Sequence, residues 1–159
     1  MTILSIELKE LWKNEALNFT PWLAKSGIIE EIIDELNIFN NPLKLYKTEH
    51  KIGNYRIDMT YQTLDKKNSL IVENQFGLTD SKHLGQNIIY SSLTNIPNIL
   101  WIADNISTEH KKIDEILKIN IILCSVKIHK ISDGYKLVFS VVNKNKDFIF
   151  TLDNSLNRI

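Results

Sequence analysis

Three side chains that could act together in catalysis are Asp58, Glu73 and Gln75. They lie in two strand-like segments that a short polar connector joins as a hairpin. Pairing Leu64 with Ser69 across this connector predicts that Asp58 faces Gln75, and the alternation of side chains then puts all three on one face. Opposed residues have Cβ atoms about 4.5–5.5 Å apart and diagonal ones about 7–8 Å, so Asp58 and Glu73 could close on one divalent cation.

Glu73 lies in a run that otherwise reads as a buried strand, Leu70–Phe76. Burying an ionised acid costs several kcal/mol unless it is paired or ligated, and two acids side by side in a sheet repel each other. A metal ion or a cationic substrate would remove this cost. The alternative is that Asp58 is a solvated edge residue and that Glu73 pairs with Arg56 or a lysine, and both explanations stay open at this point.

Two helices are predicted before the first strand. The apolar positions of Ile3–Phe19 are compatible with a helix. Thr20-Pro21 then reads as the N-cap and first residue of an amphipathic helix that ends before Pro42. Gly27 inside this helix costs about 1 kcal/mol relative to alanine and is where a kink would fall.

From Leu43 onward the hydrophobic period becomes that of strands. Three strands are predicted first, at Leu43–Ile52, Tyr55–Leu64 and Leu70–Phe76. A doubly buried strand at Asn98–Ala103 and two closing strands at Asn120–Ile131 and Tyr135–Val142 follow. Helices are predicted on either side of the doubly buried strand, at Thr79–Thr94 and Ser107–Leu117. The first of these helices has an apolar stripe of Leu84, Ile88, Ile89 and Leu93. This order predicts an α/β fold with a mixed central β-sheet flanked by helices.

The composition is that of a folded domain: 159 residues and 18.5 kDa, 43% hydrophobic and 24% charged, with 5 Gly and 3 Pro. These values exclude collagen-like, disordered and low-complexity classes, and the length predicts one domain over residues 1–159. No apolar stretch approaches the roughly 20 residues of a membrane span, and Met1–Ser5 has no basic region before an apolar core. A single cysteine, Cys124, excludes an internal disulfide. We therefore expect a cytoplasmic protein without a membrane partner.

The formal net charge is zero, from 19 basic and 19 acidic residues, but the charge is unevenly distributed. Residues 1–40 carry seven acids and three bases, so the rest of the chain has an excess of bases. This balance does not predict a strongly basic nucleic-acid-binding surface. The sequence also has no zinc-ligand spacing of Cys and His, no P-loop, no dinucleotide fingerprint and no Gly-x-Ser-x-Gly elbow.

A longer pattern surrounds the three site candidates. After Asp58…Glu73-x-Gln75 the chain continues with Thr79-Asp80-x-x-His83-Leu84-Gly85-Gln86-x-x-x-Tyr90. The first part resembles the active-site signature of the PD-(D/E)XK nuclease superfamily, in the variant where Gln replaces Lys, and Gln86-x-x-x-Tyr90 is similar to the Gln-x-x-x-Tyr helix of its exonuclease and RecB-like branch. Residues 12–24 resemble the entry segment of small members. The resemblance covers roughly residues 11–117, whereas residues 118–159 match no known pattern.

The resemblance implies a restriction-endonuclease-like core and a role for each matched residue. Asp58, Glu73 and the backbone carbonyl of Asn74 would hold Mg²⁺ or Mn²⁺, which polarises a phosphate oxygen and lowers the pKa of a bound water. Gln75 would keep the hydrogen-bonding capacity of the usual lysine without its charge. Gln86 and Tyr90, four residues apart on one helix face, would contact the water shell of the metal or the substrate phosphate.

Further candidates surround this core set. Glu15 would be the helical acid that many relatives add to the metal site, although Glu30 or Glu31 could take this role. A solvated acidic face explains these three acids more simply. Glu49, on the first predicted strand, is similarly ambiguous. His83 could contact phosphate. Basic side chains could track a phosphate backbone or simply occupy exposed strand positions: Lys44, Lys47, Lys51, Arg56, Lys66, Lys67 and Lys82.

The function that the resemblance implies is a metal-dependent nuclease that hydrolyses phosphodiester bonds, of DNA rather than RNA. The length leaves no room for a separate DNA-reading domain, so specificity would come from loops, a homodimer or an accessory protein partner. A second interpretation is a nuclease-fold module that binds nucleic acid or a protein with weak or no catalysis, which Gln75 and the zero net charge favour. A third is a structural subunit, which predicts an exposed apolar patch within Ile119–Val142.

Overall fold

Eight strands dominate the regular secondary structure of the computed structural model, which describes residues 5–159. They are β1 (Ser5–Ile6), β2 (Leu43–Ile52), β3 (Tyr55–Thr63), β4 (Ser69–Leu78), β5 (Asn98–Asn105), β6 (Asn120–Ile131), β7 (Gly134–Val141) and β8 (Lys146–Asp153). The helices are α1 (Leu8–Leu11), α2 (Thr20–Ser26), α3 (Ile28–Glu35) and α4 (Ser81–Thr94), with a π-helical turn at Glu15–Phe19 and 3-10 turns at Thr108–His110 and Ile113–Glu115.

All eight strands belong to one mixed sheet, in the order β2-β3-β4-β5-β6-β7-β8, with β1 paired to β6. The central strands β4, β5 and β6 are parallel to one another, and the outer pairs are antiparallel. This arrangement confirms the predicted fold class, a mixed central sheet with helices on its faces. Among the described helices, none is long and apolar enough to cross a membrane.

Apolar cores form on both faces of the sheet. The larger core lies between α1–α3 and one face, and its helical members include Leu8, Leu23, Ile28, Ile29 and Ile32. The smaller core lies between α4 and the opposite face and consists of Ile57, Ile71, Tyr90, Ile99, Trp101, Ile121 and Leu123. Side chains at alternate positions of β4 therefore enter different layers, and the layer that contains α4 is the one that Glu73 and Gln75 face.

The orientation of α4 differs from the prediction. Three residues of the predicted apolar stripe are exposed: Ile88, Ile89 and Leu93. The helix instead turns Asn87, Tyr90 and Ser91 inward, where all three are buried. The Tyr90 hydroxyl donates to the backbone carbonyl of Arg56 at 3.1 Å, and the ring of Tyr90 packs in the smaller core, so the inward face of α4 is centred on Tyr90.

The register of the β3–β4 hairpin also corrects the prediction. Met59 pairs with Val72 and Tyr61 pairs with Leu70, which is a shift of two positions from the predicted pairing. Asp58, one position beyond the last pair, therefore comes opposite Glu73 rather than Gln75. Because side chains alternate with a period of two, an even shift does not by itself separate Asp58 from the face of Glu73.

The helix predicted for Ile3–Phe19 is wrong over the described residues, and Ile3 and Leu4 lie outside them. The chain instead forms β1, the single turn α1 and a π-helical turn. Two side chains produce these breaks. Asp104 accepts a hydrogen bond from the backbone N–H of Leu8 at 2.8 Å, and Asn14 caps the π-helical turn by accepting from Leu17 N at 2.7 Å.

Three other segments differ from their predictions. Gly27 ends α2 in a left-handed conformation with φ 77°, so the expected kink is a break between two helices. The helix predicted for Ser107–Leu117 is replaced by 3-10 turns, because Thr79 Oγ1 binds both the ring of His110 at 2.8 Å and the backbone N–H of Ser107 at 2.8 Å. β8 is a closing strand that the sequence analysis missed.

The turn into β7 generates a prediction on stability. Gly134 has φ 156°, and a Cβ at this position would stand 1.9 Å from the carbonyl oxygen of Leu152. We expect Gly134→Ala to lower the free energy of unfolding by about 1–3 kcal/mol, measured by urea denaturation. Gly85→Ala is the control, because Gly85 lies in α4 with open space around it and alanine there is neutral or stabilising. Equal stability of Gly134→Ala and the wild type would contradict the packing described here.

Candidate active site

The β3–β4 ladder ends at the pair Met59–Val72, and two carboxylates continue it. The backbone N–H of Asn74 donates to Oδ2 of Asp58 at 2.8 Å, and the backbone N–H of Phe76 donates to Oε2 of Glu15 at 2.9 Å. N–H groups two positions apart on a strand point to the same edge, so both carboxylates stand where the carbonyls of β3 would otherwise be. The backbone of β4 thus fixes one oxygen of each acid.

The π-helical turn brings Glu15 to this edge. Phe19, at the end of the turn, packs against Phe76 of β4 with ring centroids 5.9 Å apart. Trp12 and Trp22 extend this aromatic cluster, with ring centroids 4.6 Å apart. Of the three helical acids that the sequence left open, Glu15 therefore lies at the strand edge. Glu31 instead binds Arg158, with Oε1 and Nη2 2.9 Å apart. Glu30 lies near Tyr61, whose pKa is raised by burial and, to a lesser extent, by the charge of Glu30.

Glu73 is the most buried acid of the group, with 4% of its surface exposed. Its Oε2 has no hydrogen-bond partner. Burial raises the pKa of Glu73 first, and the charges of Asp58 and Glu15 raise it further. Burial also raises the pKa of Asp58, against the lowering effect of the hydrogen bond from Asn74 N. Burial and the neighbouring acids therefore disfavour the ionised form of both carboxyl groups.

Glu49 is a fourth acid in this group. It lies in β2 between the pairs Thr48–Met59 and His50–Ile57, which places it across from Asp58. Its backbone has φ 49°, a left-handed conformation that costs a residue other than glycine about 1–3 kcal/mol. The charge of Glu49 contributes to the raised pKa of Asp58, as it does for Glu73 and Glu15. A positive φ inside a strand cannot be recognised from the sequence, so the role of Glu49 stays open at the level of sequence alone.

The donor set fits a hard divalent cation. Asp58, Glu73, Glu15 and Glu49 offer only carboxylate oxygens, the ligands that Mg²⁺ and Mn²⁺ prefer. Two of these oxygens, Oε2 of Glu73 and Oε1 of Glu49, are buried without a hydrogen-bond partner. Within residues 5–159, no group of three or more His, Cys, Asp or Glu side chains is positioned so that it could hold a metal ion as it stands. The cluster is therefore an open set of oxygens with unmet hydrogen-bonding capacity.

The backbone carbonyl of Asn74 is the remaining predicted ligand. In a strand, the N–H and the carbonyl of one residue point to the same edge, so this carbonyl faces the same side as the N–H bound to Asp58. The side chain of Asn74 points into the opposite layer, where Nδ2 donates to Oγ1 of Thr20 at 3.0 Å. Its role as a ligand stays a prediction.

Gln75 is held by three hydrogen bonds. Its amide nitrogen donates to the Leu78 carbonyl at 2.8 Å and to Oδ2 of Asp80 at 2.9 Å. Its amide oxygen accepts from Nε1 of Trp101 at 3.1 Å. Both amide hydrogens are therefore used, and Gln75 ties β4 and β5 to Asp80, the N-cap of α4. These contacts describe an anchoring residue, and a catalytic role for Gln75 stays a prediction.

The first turn of α4 presents His83 and Lys82. Asp80 accepts from both the backbone N–H and the ring Nδ1 of His83 at 2.8 Å. The charge of His83 lowers the pKa of Glu15, although burial raises that pKa by more. Lys82 is exposed. His83 thus lies on the side of α4 that faces the acids, and phosphate binding by these two residues stays a prediction.

The rest of α4 supplies Gln86, Asn87 and Tyr90. Burial, together with the charges of Glu73 and Asp58, raises the pKa of Tyr90. Gln86 is half-buried and makes no hydrogen bond within residues 5–159. Asn87 is wholly buried, and neither atom of its amide group has a partner. The sequence analysis missed Asn87, because a single asparagine in a polar helix face carries no signal.

The basic candidates Lys51 and Arg56 pair across the β2–β3 hairpin. Together with Gly53, Asn54 and Tyr55 they line an open groove of about 450 Å³. Nε of Arg56 lies 3.6 Å from Oε2 of Glu49, so the groove adjoins the acid cluster. It offers two cations and an aromatic ring near Glu49, which suits contact with a phosphate backbone.

Comparisons with known proteins add little to this geometry. No family model and no curated protein matches the chain. The structure of the EndoMS–dsDNA2 complex is similar at 13% sequence identity and a TM-score of 0.44, and the match covers 64% of this chain and 44% of the EndoMS chain. The structure of SfsA of Pyrococcus furiosus in complex with Ca²⁺ is similar at 15% identity and a TM-score of 0.42, and the match covers 70% of this chain and 62% of the SfsA chain. The chain thus spans less than two thirds of either protein, and likenesses at these TM-scores carry no argument, so the resemblance to the PD-(D/E)XK superfamily rests on the sequence motifs alone.

The raised pKa of Glu73 predicts a stabilising substitution. A carboxyl group whose pKa rises on folding contributes stability below its unfolded pKa, near 4.5, and loses it as the pH rises toward the folded value. We therefore expect Glu73→Gln to raise the free energy of unfolding at pH 8, with a chelator present, by at least about 1.4 kcal/mol, the equivalent of one pKa unit. The gain should shrink toward pH 5, as measured by urea denaturation at both values.

The control for this measurement is Glu115→Gln, which neutralises an exposed acid and should change stability by less than about 0.5 kcal/mol. A Glu73→Gln variant that is less stable than the wild type at pH 8 would mean that the acids do not repel as described.

The contacts of Gln75 predict a destabilising substitution. Gln75→Met keeps the length of the side chain but leaves the buried Nε1 of Trp101 without its acceptor. We expect a loss of about 1–3 kcal/mol in the free energy of unfolding. Gln86→Met is the matched control, because it removes the same functional group where no hydrogen bond is lost. Equal effects of the two substitutions would show that Gln75 is not an anchor.

Proposed function

We propose that this protein is a divalent-cation-dependent nuclease of the PD-(D/E)XK type that hydrolyses phosphodiester bonds. The observation that supports this most is the convergence of Glu15, Asp58 and Glu73 where β3 and β4 part. Two of these acids are bound to the backbone of β4, and the third has a buried oxygen with no partner. This is a costly arrangement for a protein that binds no cation, and a useful one for a protein that does.

The residues of the site would have separate roles in binding the cation and the substrate. Asp58, Glu73, Glu15 and the carbonyl of Asn74 would hold Mg²⁺ or Mn²⁺. When bound, such an ion polarises a phosphate oxygen and lowers the pKa of water. The hydrogen bonds from Asn74 N and Phe76 N hold two carboxylates in fixed orientations before any ion arrives. Preorganisation of this kind reduces the cost of assembling the site.

Substrate would reach the cluster along the groove of the β2–β3 hairpin. Lys51 and Arg56 line that groove, and Lys82 and His83 stand at the start of α4. Contacts of these residues with phosphates would position the chain of the substrate without reading its sequence. The preference for DNA over RNA follows from the sequence resemblance, and an accessory partner or homodimer for specificity stays a prediction.

One observation favours the alternative of a nuclease-fold module that binds nucleic acid or a protein without cutting. The position that carries lysine in the usual signature is Gln75, and its amide is fully engaged with Leu78, Asp80 and Trp101. It therefore brings no positive charge to the cluster. The third interpretation, a structural subunit, has less support, because Ile131 is the one large apolar residue exposed within Ile119–Val142.

Cleavage assays test the proposal directly. We expect single- or double-stranded DNA to be cut with Mg²⁺ or Mn²⁺ and to remain intact with a chelator. Asp58→Asn and Glu73→Gln should each reduce the rate by at least about 100-fold, with fragments quantified on denaturing gels and RNA tested in parallel.

Glu115→Gln serves as the matched control, since it removes an exposed carboxylate remote from β4 and should retain full activity. Cleavage that survives both active-site substitutions would exclude this site. Binding of DNA in a mobility-shift assay, with no cleavage under either metal, would establish the binding module instead.

A further inference from the structure

We propose that Glu49 is an additional ligand of the bound cation, and that Arg56 is its counterion only while the cation is absent. The inference rests on the proposed function in one respect, namely that the acid cluster binds a divalent cation. It goes beyond that function in assigning Glu49, which is not part of the sequence signature, to the cation and in giving Arg56 two alternative partners.

The position of Glu49 is the first support. It stands across β2–β3 from Asp58, between two regular cross-strand pairs. Residues opposite each other on paired strands have Cβ atoms about 4.5–5.5 Å apart, so Glu49 approaches Asp58 from a different strand.

Two orphaned oxygens are the second support. Glu73 is 4% exposed and its Oε2 has no hydrogen-bond partner, and Oε1 of Glu49 is likewise buried without one. Buried carboxylate oxygens are normally paired. A cation between Glu49 and Glu73 would satisfy both oxygens at once, whereas no described donor does so.

Arg56 is the third support. Its Nε lies 3.6 Å from Oε2 of Glu49, and its side chain is 58% exposed. The backbone of Arg56 is fixed by the hydrogen bond from Tyr90, so the guanidinium can leave Glu49 without disturbing β3. Once a cation neutralises Glu49, Arg56 is free to bind a phosphate in the groove that it lines with Lys51. Cation and phosphate would therefore bind cooperatively.

Calorimetric titration with Ca²⁺ tests the assignment without relying on catalysis. We expect Glu49→Gln to weaken Ca²⁺ binding by at least about tenfold or to remove one bound ion. Glu31→Gln is the matched control, because Glu31 also pairs with an arginine, Arg158, at a remote place, and it should bind Ca²⁺ like the wild type. Arg56→Gln should bind Ca²⁺ more tightly than the wild type, since the cation then has no competitor for Glu49.

A second variant at position 49 distinguishes the loss of a ligand from a loss of folding. Glycine suits the positive φ at position 49, so Glu49→Gly should fold and should match Glu49→Gln in its loss of Ca²⁺ affinity. If Glu49 merely held Arg56 in place, both Glu49 variants and Arg56→Gln would lose stability while Ca²⁺ affinity stayed at the wild-type value. That result would overturn the inference, as would a wild-type protein that does not bind Ca²⁺.

The same measurements separate this inference from the proposed function. Ca²⁺ binding that depends on Glu49, in a protein that cuts no nucleic acid, would support the inference and exclude the nuclease. Metal-dependent cleavage in a protein whose Ca²⁺ affinity is unchanged by Glu49→Gln would retain the nuclease and overturn the assignment of Glu49.

Discussion

The constraint on which the rest of the structure depends is the need of each buried backbone N–H for an acceptor. β3 stops supplying acceptors to β4 after the pair Met59–Val72. The carboxylates of Asp58 and Glu15 replace these acceptors, and one oxygen of each accepts a hydrogen bond from a backbone N–H of β4. The same two bonds that complete the strand therefore fix two acids beside Glu73. Structure and candidate chemistry cannot be separated here, because removing either carboxylate also leaves an N–H of β4 without its partner.

A second set of hydrogen bonds places α4 over this edge. Gln75 joins Asp80, the N-cap of α4, to Trp101 of β5. The ring of Trp101 packs on His110 with centroids 5.3 Å apart, and His110 binds Thr79. The start of α4 is thus anchored to the carboxyl ends of two parallel strands. This explains why α4 tolerates an exposed apolar stripe, since its position is set by polar anchors at its start and by Tyr90 further along.

The sequence was sufficient to predict β2, β3, β4 and α4 and the shared face of Asp58 and Glu73, but not the π-helical turn that carries Glu15. The two side chains share a face although the predicted register was wrong, because the observed register differs from it by two positions and side chains alternate with a period of two. Other features depend on contacts between distant residues and could not be read locally. Thr79 prevents a regular helix after Ser107 through bonds that span 28 and 31 residues. Similarly, the left-handed conformation of Glu49 has no signature in the residues around it.

The replacement of lysine by Gln75 changes the electrostatics of the proposed site in a definite direction. A lysine beside the acids would offset part of their mutual repulsion, whereas glutamine offsets none of it. Among the described residues, Arg56 is the one lysine or arginine in an ion pair with any of the four acids, and its partner is Glu49. The cluster therefore has more uncompensated negative charge than the lysine-containing pattern would have. If the proposed cation binds, such a site would depend more strongly on it for stability, and Arg56 would be the group that competes with the cation for Glu49.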